Sequence, residues 1–248
     1  MGTDTDPVGT GTHVAQVFTR DPLTGPDTPA RLFAILARHA PGAVPGPRGD
    51  GGSARALRST HGEPAGEIFW ESPPPGRVRG GVHPMFYPTD THATVTLECD
   101  AAAAGPDALV GFVREASTAF GADFGYVDVL PAPAAADGEP PGYVYLTPQN
   151  LQAWLPEIWW GMVLGPAYVD LIGGNVVASA PAHEVTRIGP ATYWLQLTEH
   201  LEQPPTDADP LGRQRRAVAA HLGERLFWKA GRTAFVAPRF AATGVGRR

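Results

Sequence analysis

The segment Leu151–Gly174, LQAWLPEIWWGMVLGPAYVDLIGG, constrains this chain more than any other. It places Trp154, Trp159 and Trp160, three of the six tryptophans, within seven residues. Its only ionisable acids are Glu157 and Asp170, and it has no basic residue. Each large aromatic removes roughly 150–250 Å² from water when buried. Such a segment therefore belongs either to the core of a globular domain or to a patch that meets a partner. Three tryptophans so close together cannot all point one way, so two are expected in the core. No nucleophile, general base or phosphate loop lies within the segment, which directs the reading away from catalysis.

The 248-residue sequence is long enough for one substantial core, and with 43% hydrophobic and 18% charged residues it is expected to fold. A single cysteine, Cys99, excludes an intramolecular disulfide and any multi-cysteine metal site. The first residues lack a basic start and an apolar run, and no stretch reaches membrane-spanning length, so a cytoplasmic protein is expected. One lysine against eighteen arginines, with abundant Ala, Gly and Pro, suggests GC-rich coding such as that of actinobacteria.

Charge is unevenly distributed. Residues 1–206 carry 10 Arg against 22 acids, whereas 207–248 carry 9 basic residues against 3 acids. Over 115–206, ten acids face only Arg187. A single-sign region of this kind speeds association with a basic partner and repels nucleic acid. Equally, the basic C-terminal part can pack beside the acidic middle and neutralise it.

Periodicity predicts helices at Thr28–His39, Pro106–Phe120 (stripe Leu109, Phe112, Val113, Ala116, Phe120), Ala167–Ile172 and Leu211–Leu222. Strands are expected at Glu67–Trp70, His92–Cys99, Gly125–Leu130, Tyr143–Thr147, Asn175–Ser179, Ala191–Thr198 and Thr233–Val236, with SPPPGRVRGG read as a break. The sum is an α+β domain with a central antiparallel or mixed sheet and helices mainly on one face. The domain is expected to span 28–240, with Pro/Gly-rich insertions at 40–66 and 131–142 and flexible tails at 1–27 and 241–248.

Chemistry is sparsely signalled. The eight histidines show no HExxH or HxH spacing, and GxSxG is missing. Cys99 falls on the apolar side of an alternating strand, where a structural thiol is expected. Glu199-His200 is the best acid/base candidate, but neighbours on a strand point to opposite faces. Arg213, Arg215 and Arg216 with Arg225, Lys229 and Arg232 form the one basic cluster, read as solvated or internally paired. No metal, cofactor, nucleic-acid or membrane partner is expected.

The run from Trp160 to Gly174, W-x-x-x-L-G-P-A-Y-V-D-L-I-G-G, followed by a strand and ATYWLQLTEHL, resembles the C-terminal part of bacterial immunity-protein families of polymorphic toxin systems, immunity protein 52 being the nearest type. Upstream, Phe120 and Asp123-Phe124-Gly125 fit the same pattern, and the resemblance covers 28–38 and 92–202. It implies a non-enzymatic inhibitor that binds a cognate toxin, and the acidic surface suits a basic one. The residues expected to contact it are Glu157, Trp159, Trp160, Tyr168, Asp170 and Glu184. Two other readings stay open: a small hydrolase or transferase using Glu199, His200 or Cys99, and a structural or assembly component that forms a homodimer through 151–174.

Overall fold

The computed structural model describes residues 12–44, 55–56, 67–72, 77–85, 90–130, 146–155, 157–201, 210–229 and 231–240. Nine strands form one sheet in the order β2-β3-β4-β5-β1-β6-β7-β9-β8, antiparallel at every pairing. They are β1 (Thr12–Thr19), β2 (Arg55–Ala56), β3 (Ile68–Ser72), β4 (Val78–His83), β5 (Ala93–Asp100), β6 (Ala122–Leu130), β7 (Gly161–Leu164), β8 (Glu184–Gly189) and β9 (Thr192–Gln196). Among the described residues five helices accompany them: α1 (Thr28–His39), α2 (Pro106–Phe120), α3 (Pro166–Ile172), α4 (Gly174–Ala178) and α5 (Pro210–Leu222). The expected α+β architecture is the observed one, and no helix among the described residues is long and apolar enough to cross a membrane.

The helix α2 forms where its apolar stripe predicts, with Leu109, Phe112, Val113, Ala116 and Phe120 all buried. Gly121 ends it in the left-handed conformation (φ 61°), which a residue without a Cβ adopts most readily. Gly125 of β6 lies under α2, an added Cβ there falling 3.3 Å from Ser117 Oγ, and this marks the face of the sheet that α2 covers. By strand alternation Ala15, Leu97, Val127 and Trp70 share that face, whereas Gln16, Phe124, Tyr126 and Asp128 lie on the other. The helix α1 packs against α2, and its Phe33 meets Trp70 edge-on at 5.5 Å. On the opposite face Tyr168 of α3 packs against Phe124, and Arg215 of α5 reaches Asp128.

One row of paired residues runs along the α2 face: Trp70, Gly80, Leu97, Ala15, Val127 and Gly161, on β3, β4, β5, β1, β6 and β7. At each end a buried indole lies over a glycine. A Cβ on Gly80 would fall 2.0 Å from the Trp70 ring, and one on Gly161 would fall 2.4 Å from the Trp194 ring.

Several sequence expectations need correction. Residues 12–19, assigned to a flexible tail, form the central strand β1. Its two faces are both covered, so Val14, Ala15, Val17 and Phe18 are all buried and no wet face gives it away. Val78–His83, read as part of a break, is β4, whose paired glycines make room for Trp70 and Phe69. Of the strand expected at Asn175–Ser179, residues 175–178 are helical and Ser179 caps the helix, because Gly173 (φ 98°) turns the chain and a second helix starts at once. Thr233–Val236 enters no ladder; Val236 N–H bonds only to the Arg225 carbonyl. The strands β7 and β8 were not foreseen. The tails at 1–11 and 241–248, the insertion 131–142, residues 45–54 and 57–66 of the other insertion, and the first three residues of the strand expected at Tyr143–Thr147 lie outside the described residues.

Candidate protein-binding cleft

The six residues assigned to partner contact do not share a surface. Trp159, Trp160 and Tyr168 each keep only 1% exposure. Trp159 stacks on Tyr126 (centroids 4.6 Å apart) and meets Phe124 at 5.4 Å. The Trp160 indole donates to Thr198 Oγ1 at 3.0 Å, and the Tyr168 hydroxyl donates to the Leu151 carbonyl at 3.2 Å. Burial pushes the Tyr168 phenol well above its ordinary value. These three rings build the core and offer nothing to a partner. Of the three clustered tryptophans only Trp154 stays half-buried.

Glu157 lies on the face opposite α2, in an ion-pair cluster that ties α5 to the sheet. Arg215 donates through Nη2 to Asp128 (2.8 Å) and through Nη1 to Glu157 (3.3 Å) and the Ile158 carbonyl (2.6 Å). Asp128 also accepts the Trp160 N–H at 3.1 Å. Arg215 of the basic cluster is thus internally paired, a cation that neutralises part of the acidic middle. Desolvation, aided by Asp128 and opposed by Arg215, raises the Glu157 carboxyl to about 7.

That shift has a measurable sign. A carboxyl with a raised folded-state pKa holds its proton more tightly when folded. Its contribution favours folding below the ordinary value of 4.5 and is lost as pH rises through 7. Because the Glu157 side chain retains 38% exposure, solvent screening reduces the effect. Glu157→Gln is expected to flatten the pH dependence of the melting temperature across that window relative to wild type. Parallel melting curves for the two proteins at every pH contradict it.

Asp170 is exposed on α3, away from this cluster, and Glu184 lies on the α2 face. There, α2 and the edge pair β8–β9 bound a cleft of about 580 Å³. Four carboxylates line it: Asp107 and Glu115 from α2, Glu184 from β8 and Glu199 from the turn after β9. Arg114 is the one lining residue with a fixed positive charge; His39 and His183 complete the titratable set. Arg114 donates to Glu184 at 3.1 Å, and His39 Nε2 meets Glu115 Oε2 at 2.6 Å. The His39 ring can lie on α2 because residue 111 is glycine; a Cβ there would fall 2.3 Å from His39 Nδ1. Arg38, bonded to Glu115, and then His39 hold that carboxyl below its ordinary range, so it stays ionised. The Gln196 amide donates to the Thr198 and Glu199 carbonyls and shapes the turn that presents Glu199. Asp107 and Glu199 are exposed and make no ion pair among the described residues.

The cleft is a negatively charged concavity suited to cationic side chains. Of the catalytic candidates, Glu199 lines this cleft, whereas Cys99 and His200 are not among its lining residues. Cys99 is 1% exposed, and burial, reinforced by Asp100, pushes its thiol to about 12, the reverse of what a nucleophile needs. His200 is exposed beside Glu199 with its carbonyl accepting from Thr198. No group of three or more His, Cys, Asp or Glu among the described residues is placed to hold a metal ion.

No protein-family model matches the chain, and no curated protein matches it in sequence. Its fold does have a solved counterpart. The chain is similar to a Pseudomonas aeruginosa T6SS protein, PA0821. The superposition has a TM-score of 0.59 and covers 97% of this chain and 83% of the other. At 10% identity, the likeness to PA0821 is one of fold.

Proposed function

We propose that this protein is a non-enzymatic immunity protein that binds and neutralises a cognate toxin in the cytoplasm, with its acidic cleft facing a basic surface of that toxin. The observation that carries the reading is the α2–β8–β9 cleft, where four carboxylates gather around one arginine. Such a field raises the encounter rate with a cationic partner and disfavours nucleic acid. The sequence resemblance to immunity-protein families points the same way, and a T6SS protein with this fold is compatible with a place in a toxin system. The specific immunity protein 52 type belongs to this proposal and rests on the resemblance alone.

The test is co-expression with the protein encoded immediately upstream. Growth rescue and a complex stable to size exclusion are expected. In that complex Glu184→Lys combined with Glu199→Lys is expected to slow association by about tenfold or more at low salt. Asp170→Lys, outside the cleft, should leave the rate within about twofold. A harmless neighbour, or a complex indifferent to the cleft reversal, sinks the reading.

A further inference from the structure

One edge of the sheet stands open beside the cleft. The strand β8 ends the strand order, and among the described residues its backbone ladder runs to β9 alone. Every second residue of such a strand directs its N–H and C=O away from the sheet, a template on which another extended segment can pair. The hairpin end of β8 is blunted: the register shifts between Arg187 and Gly189, and the Arg187 guanidinium donates to the Gly189 carbonyl at 3.0 Å. The end that begins at Glu184 runs in register with β9 and borders the acidic cleft.

The two faces of β8 differ in charge. Glu184 and Thr186 stand on the α2 face, where Arg114 of α2 and the Thr186 hydroxyl both donate to Glu184 Oε1. By alternation Val185 and Arg187 stand on the other face, Val185 against the core and Arg187 exposed. In a strand added to β8, every second side chain would start about 5 Å from that of Glu184 or Thr186, at the cleft. There it meets the carboxylates of Asp107, Glu115 and Glu199, with Arg114 as the opposing fixed charge and His39 and His183 as the other titratable groups. The intervening side chains would fall beside Val185 and Arg187, where a cation meets like charge.

We infer that β8 docks an extended segment of the partner protein as a further antiparallel strand, with lysine or arginine at alternate positions reaching into the cleft and uncharged residues between them. This rests on the cleft being the partner-binding surface and adds how the partner is held. Main-chain hydrogen bonds along the edge supply affinity, and the cleft on one face, with Arg187 on the other, selects the charge pattern. Antiparallel addition continues the sense of every pairing in the sheet.

The experiment uses the full chain and a short fluorescein-labelled peptide in which lysine alternates with threonine, at low salt. Saturable binding and slowed amide hydrogen exchange within β8 are expected. N-methylating every second amide of the peptide keeps its side chains and charge but blocks one hydrogen-bonding edge. One of the two alternate sets should weaken binding about tenfold or more, and the other should leave it within about threefold. A peptide of the same composition with its lysines contiguous, and the protein variant Glu184→Lys with Glu199→Lys, should each bind about tenfold more weakly. Equal effects of the two methylated sets, equal binding of the contiguous peptide, or unchanged exchange in β8 overturns the strand docking, even where co-expression rescues growth and cleft reversal slows the complex. So does a dimer of this chain that protects β8 without peptide, because the occupant is then a second copy. Conversely, docking with all of these signatures but no growth rescue removes the immunity reading and leaves the strand docking in place.

Discussion

Asp128→Ala is expected to cost about 3–5 kcal/mol of folding stability, a loss read as a lower midpoint in urea with an unchanged slope. The side chains of Asp128 and Arg215 are 5% and 9% exposed, so both charges have left water. Removing Asp128 leaves Arg215 with the more exposed Glu157 as its remaining carboxylate partner among the described residues, and takes the acceptor from the Trp160 N–H. Asp128→Asn should fall between, because an amide oxygen still accepts from Trp160 but carries no charge to offset the guanidinium. Replacing the pair together, Asp128→Leu with Arg215→Met, should recover much of the loss, since the desolvation cost of both ions disappears. A drop below about 1 kcal/mol for Asp128→Ala would show that Arg215 finds water or another partner.

Trp194→Ala is expected to cost about 3–5 kcal/mol, and Gly161→Ala about 1–3 kcal/mol. Trp194 is fully buried, and its ring occupies the space above Gly161 that any Cβ there would need. The two losses should not add. Once the indole is gone, a methyl group at 161 meets an empty volume and costs little or even fills it. Urea unfolding of the two single variants and the double variant measures this coupling directly. Additive losses would mean that the ring and the glycine strain different parts of the sheet. Gly80→Ala beneath Trp70 should repeat the pattern at the other end of the row.

How much of this was legible in the sequence depends on how each element meets solvent. The helix α2 was readable because one side is buried and the other wet, and β5 because Val95, Leu97 and Cys99 alternate with half-buried Thr96 and Glu98. The strands β1 and β7 are buried on both faces, which erases the alternation that marks a strand. The helix α4 was hidden by its adjacent valines, which favour extended backbone until Gly173 sets the direction of the chain. Crowding of the three rings pointed to two of them in the core without saying which, and the two found there, Trp159 and Trp160, are ones that had been assigned to partner contact. The cleft was legible only through Glu184 and Glu199, because it joins His39, Asp107, Glu115, His183, Glu184 and Glu199 from four separate parts of the chain. No local spacing records that meeting. An excess of acids over 115–206 was the one signal that pointed to it.

The position of β1 has a consequence for biosynthesis. It precedes every other described element along the chain, yet both of its hydrogen-bonding edges are satisfied only by β5 and β6. A nascent polypeptide therefore carries VAQVF, apolar and strand-forming, with neither neighbour yet translated. The sheet closes around this strand late and through distant contacts, a slow step that leaves a sticky template on display. Newly made chains should thus depend on chaperones that shield that five-residue stretch, and yield on expression should respond to slower synthesis or lower temperature more than the stability of the finished protein would suggest.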